Sequence, residues 1–129
     1  MTFSNSFINK FSWFTIIVAV LYIFGEGYFM FLYGQPHLHT LADLIAVLLL
    51  FFGGFMTLKH KNLGIICGAW GYSFCINYRT WVWRYYAKLE GVSDTSTDTV
   101  GNILFFLLIF SCIAFIISIL LNLPKTKIK

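Results

Sequence analysis

A chain of 129 residues with 59% apolar and 11% charged side chains cannot bury that much apolar surface in a water-soluble core of its own size. Lipid is therefore the expected solvent for much of it. The formal charge of +4 does not form the basic, aromatic-interleaved patch that nucleic acid requires, so no nucleic-acid partner is expected.

A membrane-crossing helix needs about 20 apolar residues. Segments at about 11–33, 38–58, 63–86 and 100–123 reach that length. The first follows Lys10 and is interrupted only by Glu26. It is too long for the apolar part of a signal peptide, and no small-residue cleavage site follows it. After Gly34-Gln35-Pro36-His37 the second segment carries one charge, Asp43, and ends at the Lys59-His60-Lys61-Asn62 turn. The third holds Arg79 and Arg84, and the fourth, Val100 to Leu123, has no charge. In the polar stretch between them, Thr97 or Asp98 is expected to cap the last helix. Connections this short make neighbouring helices antiparallel. The predicted fold is all-α, one integral membrane domain built as a four-transmembrane-helix antiparallel bundle in up-down-up-down order.

Lys10, Lys59, Lys61, Lys125, Lys127 and Lys129 fall on one side of such a bundle, which places both termini in the cytoplasm. A bacterial cytoplasmic membrane fits the short loops. In a eukaryotic host the ending Lys125-Thr126-Lys127-Ile128-Lys129 resembles a dilysine signal for the endoplasmic reticulum. On the other side, Trp81, Trp83, Tyr85 and Tyr86 form an aromatic belt, with Arg84 and Lys88 read as interfacial anchors.

Lipid-facing positions accept Leu, Ile and Phe freely, so small and polar residues mark the inward face of each helix. On the first these are Ser12, Thr15, Ala19, Tyr22, Glu26 and Tyr33; on the second His39, Asp43, Ala46, Gly53 and Thr57. On the third they are Gly64, Gly68, Gly71, Cys75 and Arg79, and on the fourth Gly101, Ser111, Cys112, Ser118 and Asn122. Gly64, Gly68 and Gly71, like Gly53 and Gly54, admit close approach of a backbone, either inside the bundle or from another subunit.

Counted from the outer helix ends at about 1.5 Å per residue, Glu26, Asp43 and Arg79 reach a similar depth. Arg79 between the two carboxylates is the expected arrangement, because one guanidinium can bind both and so offset the cost of charge in lipid. His39 lies one turn from Asp43, and Tyr22, Tyr72 and Tyr78 are candidates to complete a polar pocket. The candidate binding cluster is thus Glu26, His39, Asp43, Tyr78 and Arg79. No metal site is expected, since His37-x-His39 and two carboxylates do not amount to a tetrahedral set. Cys67, Cys75 and Cys112 are odd in number and form no C-x-x-C, so they read as free thiols. Neither a nucleotide loop nor a nucleophile with a base is present, so no cofactor and no enzymatic activity are expected. Two functions fit: an accessory or oligomer-forming membrane subunit with the cluster as an internal clamp, or small-molecule or proton-coupled transport through a Glu26/Asp43/Arg79 cavity.

Overall fold

The structure, a computed structural model, describes residues 3–34 and 37–123, without the side chains of Phe29 and Tyr33. Gln35, Pro36 and the lysine-bearing tail at 124–129 lie outside the described residues. The fold is all-α. Its four helices among the described residues are α1 Asn5–Tyr33, α2 His37–His60, α3 Leu63–Leu89 and α4 Thr95–Asn122. Three of them, α1, α2 and α4, are long and apolar enough to cross a membrane. The remaining helix, α3, spans 27 residues, but Asn77, Arg79, Arg84 and Lys88 leave it more polar than the other three.

Two helices start before their apolar segments do. Ser4 caps α1 by accepting a hydrogen bond from the Phe7 amide at 3.2 Å, which draws the polar stretch 5–10 into the helix. In α4 the cap is Asp94, rather than Thr97 or Asp98. Its carboxylate accepts from the Thr97 amide at 2.7 Å, while Asp98 in the first turn accepts from Ser93 Oγ at 3.0 Å. A cap serves an amide two or three residues ahead, so it can lie well outside the apolar run that it starts.

Helix contacts pair rising numbers with falling ones. Gly54 lies against Ser12 and Ile16, while Asp43 faces Tyr22 and Glu26. Gly53 abuts Ile66, and Ala42 accepts a hydrogen bond from Tyr72. Between α3 and α4, Gly71 meets Phe115, Asn77 meets Ser111, and Trp81 packs on Phe105.

The tight packing gathers at one end of the molecule. On α1 the buried residues are Phe11, Ser12, Thr15 and Ala19, and on α2 they begin only at Ala46. Trp70 is the junction of this region. Its indole Nε1 donates to Thr15 Oγ1 at 3.0 Å, and its ring lies 6.3 Å from Phe14 and 5.9 Å from Phe110. The Thr15 hydroxyl in turn donates to the Phe11 carbonyl at 2.9 Å, so both polar atoms are satisfied in the core. Below it, Thr57 Oγ1 contacts the carbonyl oxygens of Gly53 and Asn62, each at 2.8 Å. Lys61 takes a left-handed φ of 56° there and its ammonium donates to Asn9 Oδ1, so one compact turn joins α2 to α3 and touches α1.

The inward faces of α1 and α2 agree with the small-residue stripes for Ser12, Thr15, Ala19, Ala46, Gly53 and Thr57. Helix α3 does not. Its buried residues are Ile66, Ala69, Trp70, Ser73 and Asn77, whereas Gly64, Gly68, Cys75 and Arg79 are exposed. At about 100° per residue these two sets lie on opposite sides of the helix, about 180° apart. The polar atoms of Trp70 and Asn77 find partners inside, so these large residues bury at no loss of hydrogen bonds. The glycines divide accordingly. A Cβ on Gly53 would meet the Ile66 backbone at 2.9 Å and one on Gly71 the Phe115 ring at 2.8 Å, while Gly68 has nothing within 4 Å.

Candidate functional site

The expected cluster separates into a part that assembles and a part that does not. Glu26 and Asp43 are half-buried where α1 faces α2, with their carboxyl groups as close neighbours. The side chains of Tyr22 and Tyr72 stand beside them, and the Tyr72 hydroxyl donates to the Ala42 carbonyl at 3.3 Å. Two of the three candidate tyrosines are therefore at the site. The third, Tyr78, is 52% exposed and stacks on Phe74.

Arg79 and His39 are exposed, and among the described residues Arg79 makes no ion pair with Glu26 or Asp43. The reason is axial. Tyr72 lies beside Ala42, and Arg79 is seven residues farther along α3, about 10 Å away at 1.5 Å per residue. Counting depth from the helix ends took the outer ends of three helices to be level, which the Tyr72 contact contradicts.

Without the arginine, the α1–α2 site is a pair of carboxyl groups flanked by two phenols. Such a pair can hold one proton between its oxygens or accept a small cation. Among the described residues no group of three or more His, Cys, Asp or Glu is placed to hold a metal ion. Cys67, Cys75 and Cys112 are free thiols, and Cys75 is exposed on the outward face of α3.

A second polar place lies between α3 and α4. Arg84, read from the sequence as an outward anchor, follows Asn77 by seven residues and so shares the face that packs on α4. Its Cβ is 3.8 Å from the position a Cβ on Gly101 would take, and its Nε is buried without a hydrogen-bond partner. Beside it is a half-open cavity of about 540 Å³, whose lining includes Arg84, Lys88, Thr97 and Asn102, with Trp81 and Phe105 as aromatic walls. The seven-residue spacing of Asn77 and Arg84 was a usable signal. Assigning the inward face of α3 to its glycines hid it.

At the cap of α4, hydrogen bonds from the Thr97 side chain and amide hold the Asp94 carboxyl below the usual carboxylate range. No family model matches this chain, and neither a curated protein nor a solved structure shows significant similarity to it. The sites have only their own geometry to define them.

Proposed function

We propose that the chain is a multi-pass membrane protein whose four helices cross the bilayer up-down-up-down with both termini cytoplasmic, and that it works as an oligomer-forming subunit. Three helices are apolar enough to span. The fourth, α3, lies alongside α2 and α4 and turns its polar residues Ser73 and Asn77 toward them, which supports a crossing in their company. The lysine distribution supports the orientation. Reporter fusions at Ser93 and at the C-terminus should land on opposite sides, the C-terminus inside.

The observation that carries the subunit reading is the outward face of α3. Gly53, Gly54 and Gly71 are occupied by neighbours within the chain, but Gly68 is open and Gly64 meets only the Asn62 side chain at 3.4 Å. A small-x-x-x-small face left free on a spanning helix suits a close crossing with another such helix, in the simplest case its own copy. Cys75 belongs to the same face. Oxidation in isolated membranes should therefore give a Cys75-linked dimer, absent in Cys75→Ser and reduced in a Gly64→Leu/Gly68→Leu variant. A chain that stays monomeric under oxidation and in mild detergent would contradict the reading.

The Glu26–Asp43 pair favours a second reading, uptake of a proton or small cation between α1 and α2. Cation flux in proteoliposomes that disappears in Glu26→Gln/Asp43→Asn, with folding retained, is its expected signature. Equal flux in the variant would remove it.

A further inference from the structure

The cavity between α3 and α4 has the composition of an anion site rather than of a packing defect. Packing voids in protein interiors are small and apolar-lined, whereas this space measures about 540 Å³ and presents two cations, Arg84 and Lys88. The Thr97 hydroxyl and Asn102 amide add neutral donors to the same wall. Among the lining residues the two cations face one acid, Asp98, which accepts from Ser93 Oγ at 3.0 Å, and Asp94 at the α4 cap is a second acid near Arg84.

Arg84 supplies the most specific sign. Its Nε carries a proton, is buried and has no partner, although a buried donor left unsatisfied is costly and rare. An interfacial anchor behaves differently, since it extends its head group into water or among lipid phosphates. Here the side chain is held against α4, its Cβ close to Gly101, next to open space. A guanidinium beside an ammonium suits a tetrahedral oxyanion, which accepts several hydrogen bonds at once. The walls are apolar and aromatic: Trp81 and Phe105 lie 5.5 Å apart, ring centre to ring centre. That gives one part of a ligand a dry surface and another a charged one.

We infer that the α3–α4 cavity binds a phosphate group through Arg84 and Lys88, with the Trp81–Phe105 wall covering the carbon portion attached to it. Two sources share this chemistry, the diester of a phospholipid headgroup at the outer surface and a soluble phosphate compound. The lipid source rests on the membrane reading given above. The soluble source does not.

The test uses the full chain in mild detergent, with binding read by native mass spectrometry and by protection against thermal unfolding. One arm titrates phosphatidylglycerol and the other inorganic phosphate. The expected result is retention of one ligand per chain in either arm, weakened about tenfold or more in Arg84→Gln/Lys88→Gln, as for loss of charge-assisted hydrogen bonds. Loss of lipid retention alone identifies a headgroup, and loss of phosphate protection identifies a soluble ligand. Gly101→Leu provides the second variant, because it fills the cavity while keeping both charges, and it should weaken binding as well. Lys59→Gln/Lys61→Gln, at the opposite end, should leave binding unchanged. Undiminished binding by folded Arg84→Gln/Lys88→Gln, or by folded Gly101→Leu, overturns the assignment. Recovery of the protein in buffer without detergent would instead overturn the membrane reading, and the phosphate arm would still report on the cavity.

Discussion

Gly53→Ala perturbs the closest approach of any glycine to a neighbouring helix backbone. The added methyl carbon would stand 2.9 Å from both Cα and N of Ile66 and 3.2 Å from the carbonyl carbon of Ile65. Non-bonded carbons rest at about 3.5–4.0 Å. All three obstacles are backbone atoms, so no rotamer change relieves them and α2 must move from α3 by about 0.5–1 Å, enough to forfeit a quarter to a half of the dispersion energy at nearby contacts. Overpacking of this kind costs about 1–3 kcal/mol, and the better helix propensity of alanine returns at most about 1 kcal/mol. A net loss of about 1–2 kcal/mol is expected. Gly54→Ala should cost less, since its nearest obstacle at 2.7 Å is the movable Ile16 side chain, although Ser12 O stands at 3.0 Å. Gly71→Ala meets the edge of the Phe115 ring at 2.8 Å, which can swing, and Gly68→Ala meets nothing within 4 Å. Unfolding in mixed micelles by titration with a denaturing detergent, followed by tryptophan fluorescence at low protein concentration, ranks the four. If Gly68→Ala proves as damaging as Gly53→Ala to the monomer, the packing of α2 on α3 is wrong.

Thr15→Val keeps the volume of the side chain but removes the acceptor of the Trp70 indole, whose residue is 1% exposed. A loss of about 1–3 kcal/mol is expected in the same titration, and an unchanged midpoint would show that the indole has no need of Thr15. The Asp94 cap sets a pH dependence. Its carboxyl is held below the usual range in the folded chain, so its contribution is complete above the unfolded carboxyl pKa of about 4 and is lost as pH falls through the lower folded value. Hydrogen-exchange protection of the Thr97 amide should accordingly be constant from neutral pH to about 4 and decline below it. Protection that already falls between pH 7 and 5 would contradict the cap.

The legible part of the fold was the part that apolar length and small residues encode. Four long apolar runs marked four helices, and the polar residues Ser12 and Thr15 lie buried where their spacing put them. What failed was the rotation of α3. A glycine says that close approach is possible but not from which side, and here Gly64 and Gly68 face out while Trp70 and Asn77 face in. The deciding information is pairwise: Trp70 is buried because Thr15 of another helix accepts its proton, and Asn77 because Ser111 does, at 3.3 Å. The same inversion concealed Arg84. Relative height was a second hidden quantity. Asp43 and Glu26 meet because α1 and α2 are close neighbours joined by a short connection, whereas the height of Arg79 depended on a register between α2 and α3 that is set by contacts such as Gly53 with Ile66 and Tyr72 with Ala42.

The confinement of tight packing to one end gives the molecule a mechanical character. Gly54 presses on Ser12 and Ile16, and beyond Ala19 no described residue of α1 is buried. On the other side of that contact α2 stays buried as far as Ala46, whereas α1 runs on past Ala19 as a freer arm, with Glu26 seven residues farther, about 10 Å at 1.5 Å per residue. A tilt of α1 by about 5° at Ala19 would sweep Glu26 sideways by about 0.9 Å, more than the width of about 0.5 Å over which hydrogen-bond distances range. The carboxyl pair therefore sits at the end of a lever, where a small angular change at the tight end makes or breaks its contact.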